Sequence, residues 1–353
     1  MVYVIKKLVM KVTNLIDSYI LKKYNKLMEN YCFPSIINAC VIRGECPCRC
    51  IHCPVGLTPY NKREEKFGIN HMDLNTFSNI IKQIPRTRNS TLRIHGVGEP
   101  LMWKNLREAL RIIKAKKIIS WIFTCGIGPK YLLKEIVQSC SIVEVSINSI
   151  DRENYYRTKG VDAFDEVMSN IKFMHEIIER KKLNTRLIAT RVDDYDKNYN
   201  KKFVDFWKTS GIVNDAFIRT YHDYNGMLKN KKNRGRKQKI IPCAVHWKRF
   251  NIDYDGNVVI CFNELFKSPH PNPQIVLGNI NETTIEEIWN SEKLRLIRIA
   301  QLTGNYNILG EFIKFLPCVK CNYCQPLETR RPTSENQIRQ YLKYANNKRS
   351  NKL

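Results

Sequence analysis

Short β-type runs alternate with longer helical stretches between about residues 36 and 225 of this 353-residue chain. The predicted strands are Ile36–Ile42, Thr91–His95, Ile118–Thr124, Ile142–Ile147, Arg186–Arg191 and Ala216–Arg219. The predicted helices are Leu74–Ile84, Leu106–Ala115, Pro129–Gln138, Phe164–Glu179 and Lys201–Ser210. This alternation predicts an α/β fold with a parallel sheet, in which ligands bind at the carboxyl ends of the strands. We therefore expect the chemistry in the loops that follow the strands.

Composition narrows the class of protein. The sequence has 59 Lys and Arg against 33 Asp and Glu, a net charge of +26, and 43% hydrophobic residues. That hydrophobic share is ordinary for a globular protein and argues against disorder, collagen or a coiled coil. No run of about 18 uncharged apolar residues occurs, so we expect no membrane-spanning helix. The charge could attract a nucleic acid or a membrane surface, but basic residues are frequent along the whole chain, so neither partner is favoured.

Nine of the thirteen cysteines fall into two groups, at 46–53 and at 243–324. Closely spaced thiols suit metal binding better than disulfides, so we expect a reducing cytoplasm as the compartment. In the first group, Cys46, Cys50 and Cys53 form a C-x3-C-x2-C pattern directly after the first predicted strand. Three thiolates can hold three irons of a 4Fe–4S cube and leave the fourth iron open. Cys48 adds a fourth thiol, which leaves a zinc knuckle as the alternative.

These residues resemble the signature of the radical S-adenosylmethionine (radical SAM) enzymes. Two later turns extend the resemblance, and so does Val145–Asp151, which resembles the family's SAM-contacting strand. His95–Pro100 is similar to the family's glycine-glycine-glutamate-proline turn, with Val97 replacing the first glycine. Thr124–Gly126 is similar to a threonine-asparagine-glycine turn, with Cys125 in place of asparagine. The resemblance implies a partial (β/α)6 barrel and a SAM-binding 4Fe–4S cluster on Cys46, Cys50 and Cys53. The SAM contacts that it implies are His52, Gly98, Glu99, Pro100, Ser146 and Asn148.

The second group encloses a predicted hairpin, with its turn at Asp255-Gly256, and continues in a C-x2-C-x2-C run. By spacing alone, these thiols fit either an iron–sulfur cluster or a structural zinc site. The pattern resembles the small, cysteine-rich C-terminal SPASM or twitch domain of radical SAM enzymes, whose full two-cluster form has more cysteines than are found here. The resemblance implies one auxiliary 4Fe–4S cluster, whose ligands would be Cys243, Cys261, Cys318 and Cys321, with Cys324 as a substitute for either of the last two.

Five segments follow from these patterns. They are an amphipathic basic helix at 1–30, the radical SAM barrel at 31–228, a basic linker at 229–242, the SPASM or twitch domain at 243–328 and a basic polar tail at 329–353. The N-terminal helix fits packing against the next domain, which we favour, or binding to an anionic membrane surface. The run 229–239 fits a solvated loop or a contact with RNA or phosphate.

The resemblance implies an enzyme that cleaves SAM reductively to a 5′-deoxyadenosyl radical, which takes a hydrogen atom from a substrate. A flavodoxin or ferredoxin would be a suitable low-potential electron donor. We favour a small, anionic, sugar- or alcohol-like substrate that is dehydrogenated or epimerised. A peptide- or protein-modifying maturase is the alternative, and a non-catalytic, metal-stabilised nucleic-acid-binding protein is the second alternative.

Arg191, at the end of the fifth predicted strand, is the candidate for contacting the substrate or the SAM carboxylate, because a guanidinium engages such groups with two hydrogen bonds. An ion pair with Asp193 or Asp194 is the alternative.

Overall fold

A computed structural model describes residues 18–85, 90–228, 242–321, 325–327 and 334–350 of the chain. The strands in these ranges are β1 Ile36–Arg43, β2 Asn70–His71, β3 Thr91–Val97, β4 Ser120–Thr124, β5 Ile142–Val145, β6 Arg186–Val192, β7 Asp215–Arg219, β8 Arg249–Ile252, β9 Asn257–Val259 and β10 Val276–Asn279. The first 17 residues and Cys324 lie outside the described residues. The linker 229–242 also lies outside them, apart from its last residue.

Six parallel strands form the barrel sheet, in the order β1-β3-β4-β5-β6-β7. All eight positions of β1 are buried, as expected for a parallel strand that is covered on both faces. The six predicted strands are all present, with ends shifted by at most two residues. The fold is therefore the expected α/β barrel, with a small cysteine-rich domain at its C-terminal side.

The helices surround this sheet. They are α1 Ser18–Tyr31, α2 Pro54–Leu57, α3 Tyr60–Phe67, α4 Leu74–Lys82, α5 Leu106–Lys116, α6 Lys130–Ser139, α7 Arg152–Lys159, α8 Phe164–Arg180, α9 Lys197–Thr209, α10 Ala244–Lys248, α11 Ile285–Trp289, α12 Glu292–Thr303 and α13 Ser334–Ser350. The side chains of Asp73, Asp151 and Asp196 cap α4, α7 and α9 by accepting hydrogen bonds from first-turn N–H groups. None of the helices in the described ranges is long and apolar enough to cross a bilayer.

The sequence patterns missed two features of these helices. Helix α7 was not predicted, because its sequence has few apolar residues at helical spacing. The sequence pattern at Thr284–Ile299 predicts one helix, but the structure has two, because the chain leaves helical geometry at Asn290 and Ser291. Thr284 still caps the first of them, in a capping box with Glu287.

The C-terminal domain extends the barrel sheet beyond β1. Strand β8 pairs in parallel with β1, and β9 and β10 continue the sheet in antiparallel pairing. At the end of β1, the buried guanidinium of Arg43 forms an ion pair with Asp253, with 2.8 Å between Nη1 and Oδ2. The same guanidinium donates to the backbone oxygens of Phe67 and Leu265. Arg43 therefore joins β1, the end of α3 and the C-terminal domain.

The two terminal helices pack against the body of the protein. In α13, Ile338 packs against Ile36, Ile142 and Phe217, near the amino ends of their strands. This helix therefore closes the amino-terminal end of the barrel. In α1, the Tyr24 ring lies 5.9 Å from the Trp247 ring. The described part of the N-terminal helix thus packs against the C-terminal domain, whereas we favoured packing against the next domain along the chain.

Candidate active site

The first thiol loop follows the carboxyl end of β1. Arg63, buried in α3, donates hydrogen bonds to the backbone oxygens of Cys46 and Cys48, at 2.7 and 3.2 Å. On the other side of the loop, the Arg49 N–H donates to the Lys159 backbone oxygen at 2.7 Å. Hydrogen bonds to its backbone atoms therefore hold the loop from both sides. They do not use the thiols, which stay available for another group.

Five thiols meet at this loop. Cys48, Cys50 and Cys125 form a buried cluster, against which Cys46 and Cys53 pack. Burial raises the pKa of the Cys53 thiol to about 12. A hydrogen bond from the Cys48 thiol and the nearby ammonium of Lys159 lower the pKa of Cys50. Cys125 comes from the turn after β4, so the fold adds a thiol that the loop spacing did not indicate.

The His95–Pro100 turn lies beside this loop. A Cβ at Gly98 would lie 2.5 Å from the Glu45 backbone oxygen, so only glycine allows this approach. The Glu99 side chain is 3% exposed, and its carboxylate accepts hydrogen bonds from the N–H groups of Leu101 and Cys125. Pro100 is buried and begins a short 3-10 turn. Burial raises the pKa of Glu99 above its ordinary value. A buried carboxylate suits an ammonium group as an ionic partner.

Asn148 joins the thiol loop to the neighbouring strand β6. Its φ of +63° is a left-handed conformation, which asparagine tolerates better than most residues. Its amide nitrogen lies 3.0 Å from Nε2 of His52, and its amide oxygen accepts from the Val192 N–H at 2.9 Å. Two of the expected SAM contacts, His52 and Asn148, are therefore neighbours in the fold.

Lys159 is a site residue that the sequence patterns missed. Its Nζ donates to the Ser146 hydroxyl at 3.1 Å, and its side chain is buried. Burial opposes the charged ammonium, but the negative charges of Cys50, Cys48, Tyr155 and Cys125 together outweigh burial and raise the pKa of Lys159. Ser146 and Lys159 together could bind a carboxylate at this position. Lys159 lies at the end of the unpredicted helix α7, in a sequence rich in lysine, so no signal marked it.

Arg191 has its donors directed to neighbouring residues. Its Nε donates to Asn200 at 2.9 Å, and its Nη1 donates to the Asn148 backbone oxygen at 2.5 Å. Its Nη2 pairs with Asp194 at 2.5 Å, and its guanidinium carbon lies 4.4 Å from the centre of the Tyr199 ring. This geometry fits the alternative, an ion pair with Asp194, although the arginine is buried. The hydrogen bond to the Asn148 backbone oxygen also holds Asn148 in place. A direct contact between Arg191 and the substrate stays a prediction.

A group of charged residues inside the barrel was not predicted either. Arg93 on β3 and Arg219 on β7 both approach the Phe123 ring of β4, at 4.3 and 5.1 Å. Strand β7 pairs with β6 alone among the described strands, so its contact with β4 crosses the barrel interior. Glu144 on β5 binds Arg219 through both carboxylate oxygens, at 2.5 Å each. The middle of the barrel therefore holds two guanidinium groups and a carboxylate.

Two histidines lie beside these arginines. The His95 ring lies 4.4 Å from the Phe262 ring, and His222 follows β7. Burial and nearby arginines lower the pKa of His95 and of His222 to about 3. Both imidazoles are therefore neutral near pH 7 and can donate and accept hydrogen bonds. We call Arg93, Arg219, Glu144, His95 and His222 the barrel cluster.

The second thiol group is brought together by the C-terminal domain. The Ala244 N–H donates to the Gln325 oxygen at 2.7 Å, and Cys243 forms a β-bridge with Pro326. These contacts bring the end of the domain back to its first cysteine. Burial raises the pKa of Cys318, and the charges of Cys243, Cys261 and Cys321 raise it further. The four predicted auxiliary ligands are therefore close neighbours.

The thiol geometry bears on the kind of metal group. In the described ranges, no three His, Cys, Asp or Glu side chains converge as the ligands of one metal ion. A zinc ion holds all its sulfur ligands at about 2.3 Å, whereas each thiolate of a 4Fe–4S cube binds a different iron, so cube ligands are farther apart. Thiolates are also the usual ligands of these cubes. Both thiol groups therefore have the ligand type that an iron–sulfur cluster requires.

Two family models match the chain at the two thiol-bearing regions. The Radical SAM superfamily matches residues 41–195, and the SPASM iron-sulfur cluster-binding domain matches residues 243–325. Among curated proteins, GTP 3′,8-cyclase of Pasteurella multocida (strain Pm70) is 24% identical over 205 residues, which is 54% of this chain and 58% of that protein. GTP 3′,8-cyclase of Mannheimia succiniciproducens is 25% identical over 202 residues, which is 53% of this chain and 57% of that protein. The chain thus spans little more than half the length of these relatives.

Two solved structures share the fold. SuiB of Streptococcus suis, bound to the precursor peptide SuiA, matches with a TM-score of 0.59 and 14% identity, over 80% of this chain and 74% of that one. Histidine-tagged anSMEcpe with bound AdoMet matches with a TM-score of 0.53 and 14% identity, over 90% of this chain and 98% of that one. The chain therefore belongs to the radical SAM superfamily, with SAM, a SAM-binding 4Fe–4S cluster and auxiliary iron–sulfur as its cofactors.

Proposed function

We propose that this radical SAM enzyme abstracts a hydrogen atom from a small anionic substrate that binds in the barrel, with dehydrogenation or epimerisation of a sugar- or alcohol-like carbon as the outcome. Bound SAM, once reduced, supplies the 5′-deoxyadenosyl radical for this step. The chain itself supplies the orientation of both molecules and the exclusion of water. A flavodoxin or ferredoxin is the proposed electron donor, in a reducing compartment that preserves the thiols.

The barrel cluster is the observation that supports an anionic substrate. Arg93 and Arg219 both lie against Phe123, so the aromatic ring holds the two cations in one part of the interior. Within the barrel cluster, Glu144 contributes a negative charge, and its carboxylate is bound to Arg219. Arginine binds carboxylates and phosphates with two parallel hydrogen bonds. A substrate with such a group would therefore be held in a fixed orientation inside the barrel.

Around SAM, the chain's residues would take separate roles. Cys46, Cys50 and Cys53 would hold three irons, and Glu99 would accept hydrogen bonds from the SAM ammonium. Ser146, with Lys159 beside it, would bind the SAM carboxylate. Arg191 would act as a positioning residue, through its hydrogen bond to Asn148.

The relatives support two substrate classes. The name GTP 3′,8-cyclase gives those relatives a small anionic substrate, which agrees with the barrel cluster. SuiB was solved with a precursor peptide, so a peptide-modifying maturase is the second candidate function. A non-catalytic nucleic-acid-binding protein would leave the buried Glu99 turn and the barrel cluster without a role.

Replacing Glu99 with glutamine should weaken SAM binding by roughly 10- to 150-fold. This corresponds to about 1.5 to 3 kcal/mol for the loss of a charge-assisted hydrogen bond. Because burial raises the pKa of Glu99, wild-type binding should also weaken as the pH falls, and at a higher pH than for an exposed glutamate. Equilibrium dialysis with labelled SAM measures both effects. Glu108→Gln, at an exposed ion pair on α5, is the matched control and should bind SAM normally.

The proposed substrate class is tested by SAM cleavage in the presence of candidate molecules. Reduced wild-type enzyme is incubated with SAM and with GTP, sugar phosphates, sugar acids, neutral sugars or an uncharged peptide. We expect the anionic small molecules to increase release of 5′-deoxyadenosine, measured by chromatography. Stimulation by the peptide alone would overturn the proposal and favour the maturase.

The arginines of the barrel cluster should be needed for that stimulation. Arg93→Gln and Arg219→Gln should each abolish it and leave the slow, substrate-independent cleavage of SAM intact. Arg107→Gln, on the exposed face of α5, controls for the general loss of a positive charge. Full stimulation in both barrel variants would remove these arginines from substrate binding.

A further inference from the structure

His246 lies in the auxiliary site although it belongs to no cysteine motif. It is on α10, one turn after Cys243, and it is 1% exposed. Its Nε2 atom lies 3.5 Å from the Cys318 sulfur, within hydrogen-bonding range for the large sulfur atom. Its Nδ1 atom lies 2.5 Å from Nε2 of Gln301. The imidazole therefore bridges a helix residue of α12 and an expected cluster ligand.

The neighbours of Gln301 determine which ring nitrogen carries the proton. The Gln301 Oε1 atom faces two groups that can only donate, the Cys243 N–H at 3.2 Å and the Trp247 indole N–H at 3.1 Å. This fixes the orientation of the amide, so its NH2 group points at Nδ1 of His246. Nδ1 must then accept a hydrogen bond, and in a neutral imidazole the proton resides on Nε2.

We propose that the Nε2–H group of His246 donates a hydrogen bond to the Cys318 sulfur and thereby raises the reduction potential of the auxiliary 4Fe–4S cluster. The proposal rests on the proposed function, because it requires Cys318 to be a ligand of that cluster. A hydrogen bond withdraws electron density from a ligating thiolate and so stabilises the reduced cluster. Gln301 is the positioning residue, since it fixes the tautomer that donates.

The parent protein for the test is the full-length chain with Cys46, Cys50 and Cys53 all replaced by alanine. In this parent, the test compares His246→Leu with His246→Gln. This background removes the first cluster, so the remaining iron–sulfur signal comes from the auxiliary site. The measurements are iron content and the reduction potential, from a titration followed by electron paramagnetic resonance. Leucine removes the donor, whereas the amide of glutamine can present an N–H at the place of Nε2.

We expect His246→Leu to lower the potential enough to change the ratio of reduced to oxidised cluster about tenfold at a fixed potential, which is about 59 mV for one electron. His246→Gln should stay near the parent value. Gln301→Leu should shift the potential in the same direction as His246→Leu, but by less. The reason is that the tautomer of His246 is no longer fixed. Val245→Ala, on the same helix, is the control and should leave the potential unchanged.

Each other outcome has a definite meaning. If the parent variant binds zinc or no metal, the proposed auxiliary cluster fails, and the hydrogen-bond proposal fails with it. If iron is retained and His246→Leu has the parent potential, or His246→Gln shifts as far as His246→Leu, the hydrogen bond is refuted while the cluster stands. Strong direct nitrogen coupling in the resonance spectrum would instead make His246 an iron ligand and overturn the proposal. Should His246→Leu lose its iron, His246→Gln and Gln301→Leu still decide between these outcomes.

Discussion

Replacing Cys46, Cys50 and Cys53 with alanine should reduce the iron of the anaerobically reconstituted protein from about eight atoms to about four, because one of two four-iron cubes is lost. Cleavage of SAM should be abolished, since these thiols would hold the cube whose open fourth iron binds SAM. Iron and sulfide assays give the content, and chromatography of 5′-deoxyadenosine gives the activity.

Cys48→Ala is the matched control, on the same loop. It leaves the C-x3-C-x2-C pattern intact, so iron content should stay near about eight atoms. A loss of half the iron in this control would make Cys48 a ligand. Stoichiometric zinc in the wild type, without a brown chromophore, would contradict the cluster assignment altogether.

Arg43→Met should lower the free energy of unfolding by about 3–5 kcal/mol, because it leaves the Asp253 carboxylate buried without its cation. The substitution also removes the donors to the backbone oxygens of Phe67 and Leu265. Because these contacts join the barrel to the C-terminal domain, we expect the loss to affect both regions. Denaturant unfolding of the reconstituted protein, followed by tryptophan fluorescence, measures it.

Two comparisons separate the buried charge from other effects. Arg43→Met combined with Asp253→Leu removes both charges, so it should lose less stability than the single change. Arg107→Met breaks the exposed pair with Glu135 and should lose only about 0–1 kcal/mol. A loss for Arg43→Met as small as that of Arg107→Met would show that the buried pair contributes little.

The candidate site was predicted in part from local patterns. Gly98, Glu99 and Ser146, which the family resemblance implied as SAM contacts, lie in the loops directly after β3 and β5. Their mutual contacts were beyond the sequence patterns, because the hydrogen bond from Cys125 to Glu99 spans 26 residues of chain and Lys159 lies on a helix with no apolar signal. Outside the two thiol groups, the sequence predicts ordinary buried thiols at Cys32, Cys40 and Cys140; Cys40 and Cys140 are buried, and Cys32 is exposed.

The sequence by itself determined the βα alternation, the order of the motifs that follow successive strands, and the two groups of thiols. These features depend on residue spacing within a few turns or strands. Only the tertiary structure decided which interior side chains meet. Arg93, Glu144 and Arg219 come from β3, β5 and β7, and closure of the barrel brings them to one aromatic ring. His246 reaches Cys318 across 72 residues of chain. Such contacts depend on how strands curve and helices pack, and no local periodicity encodes them.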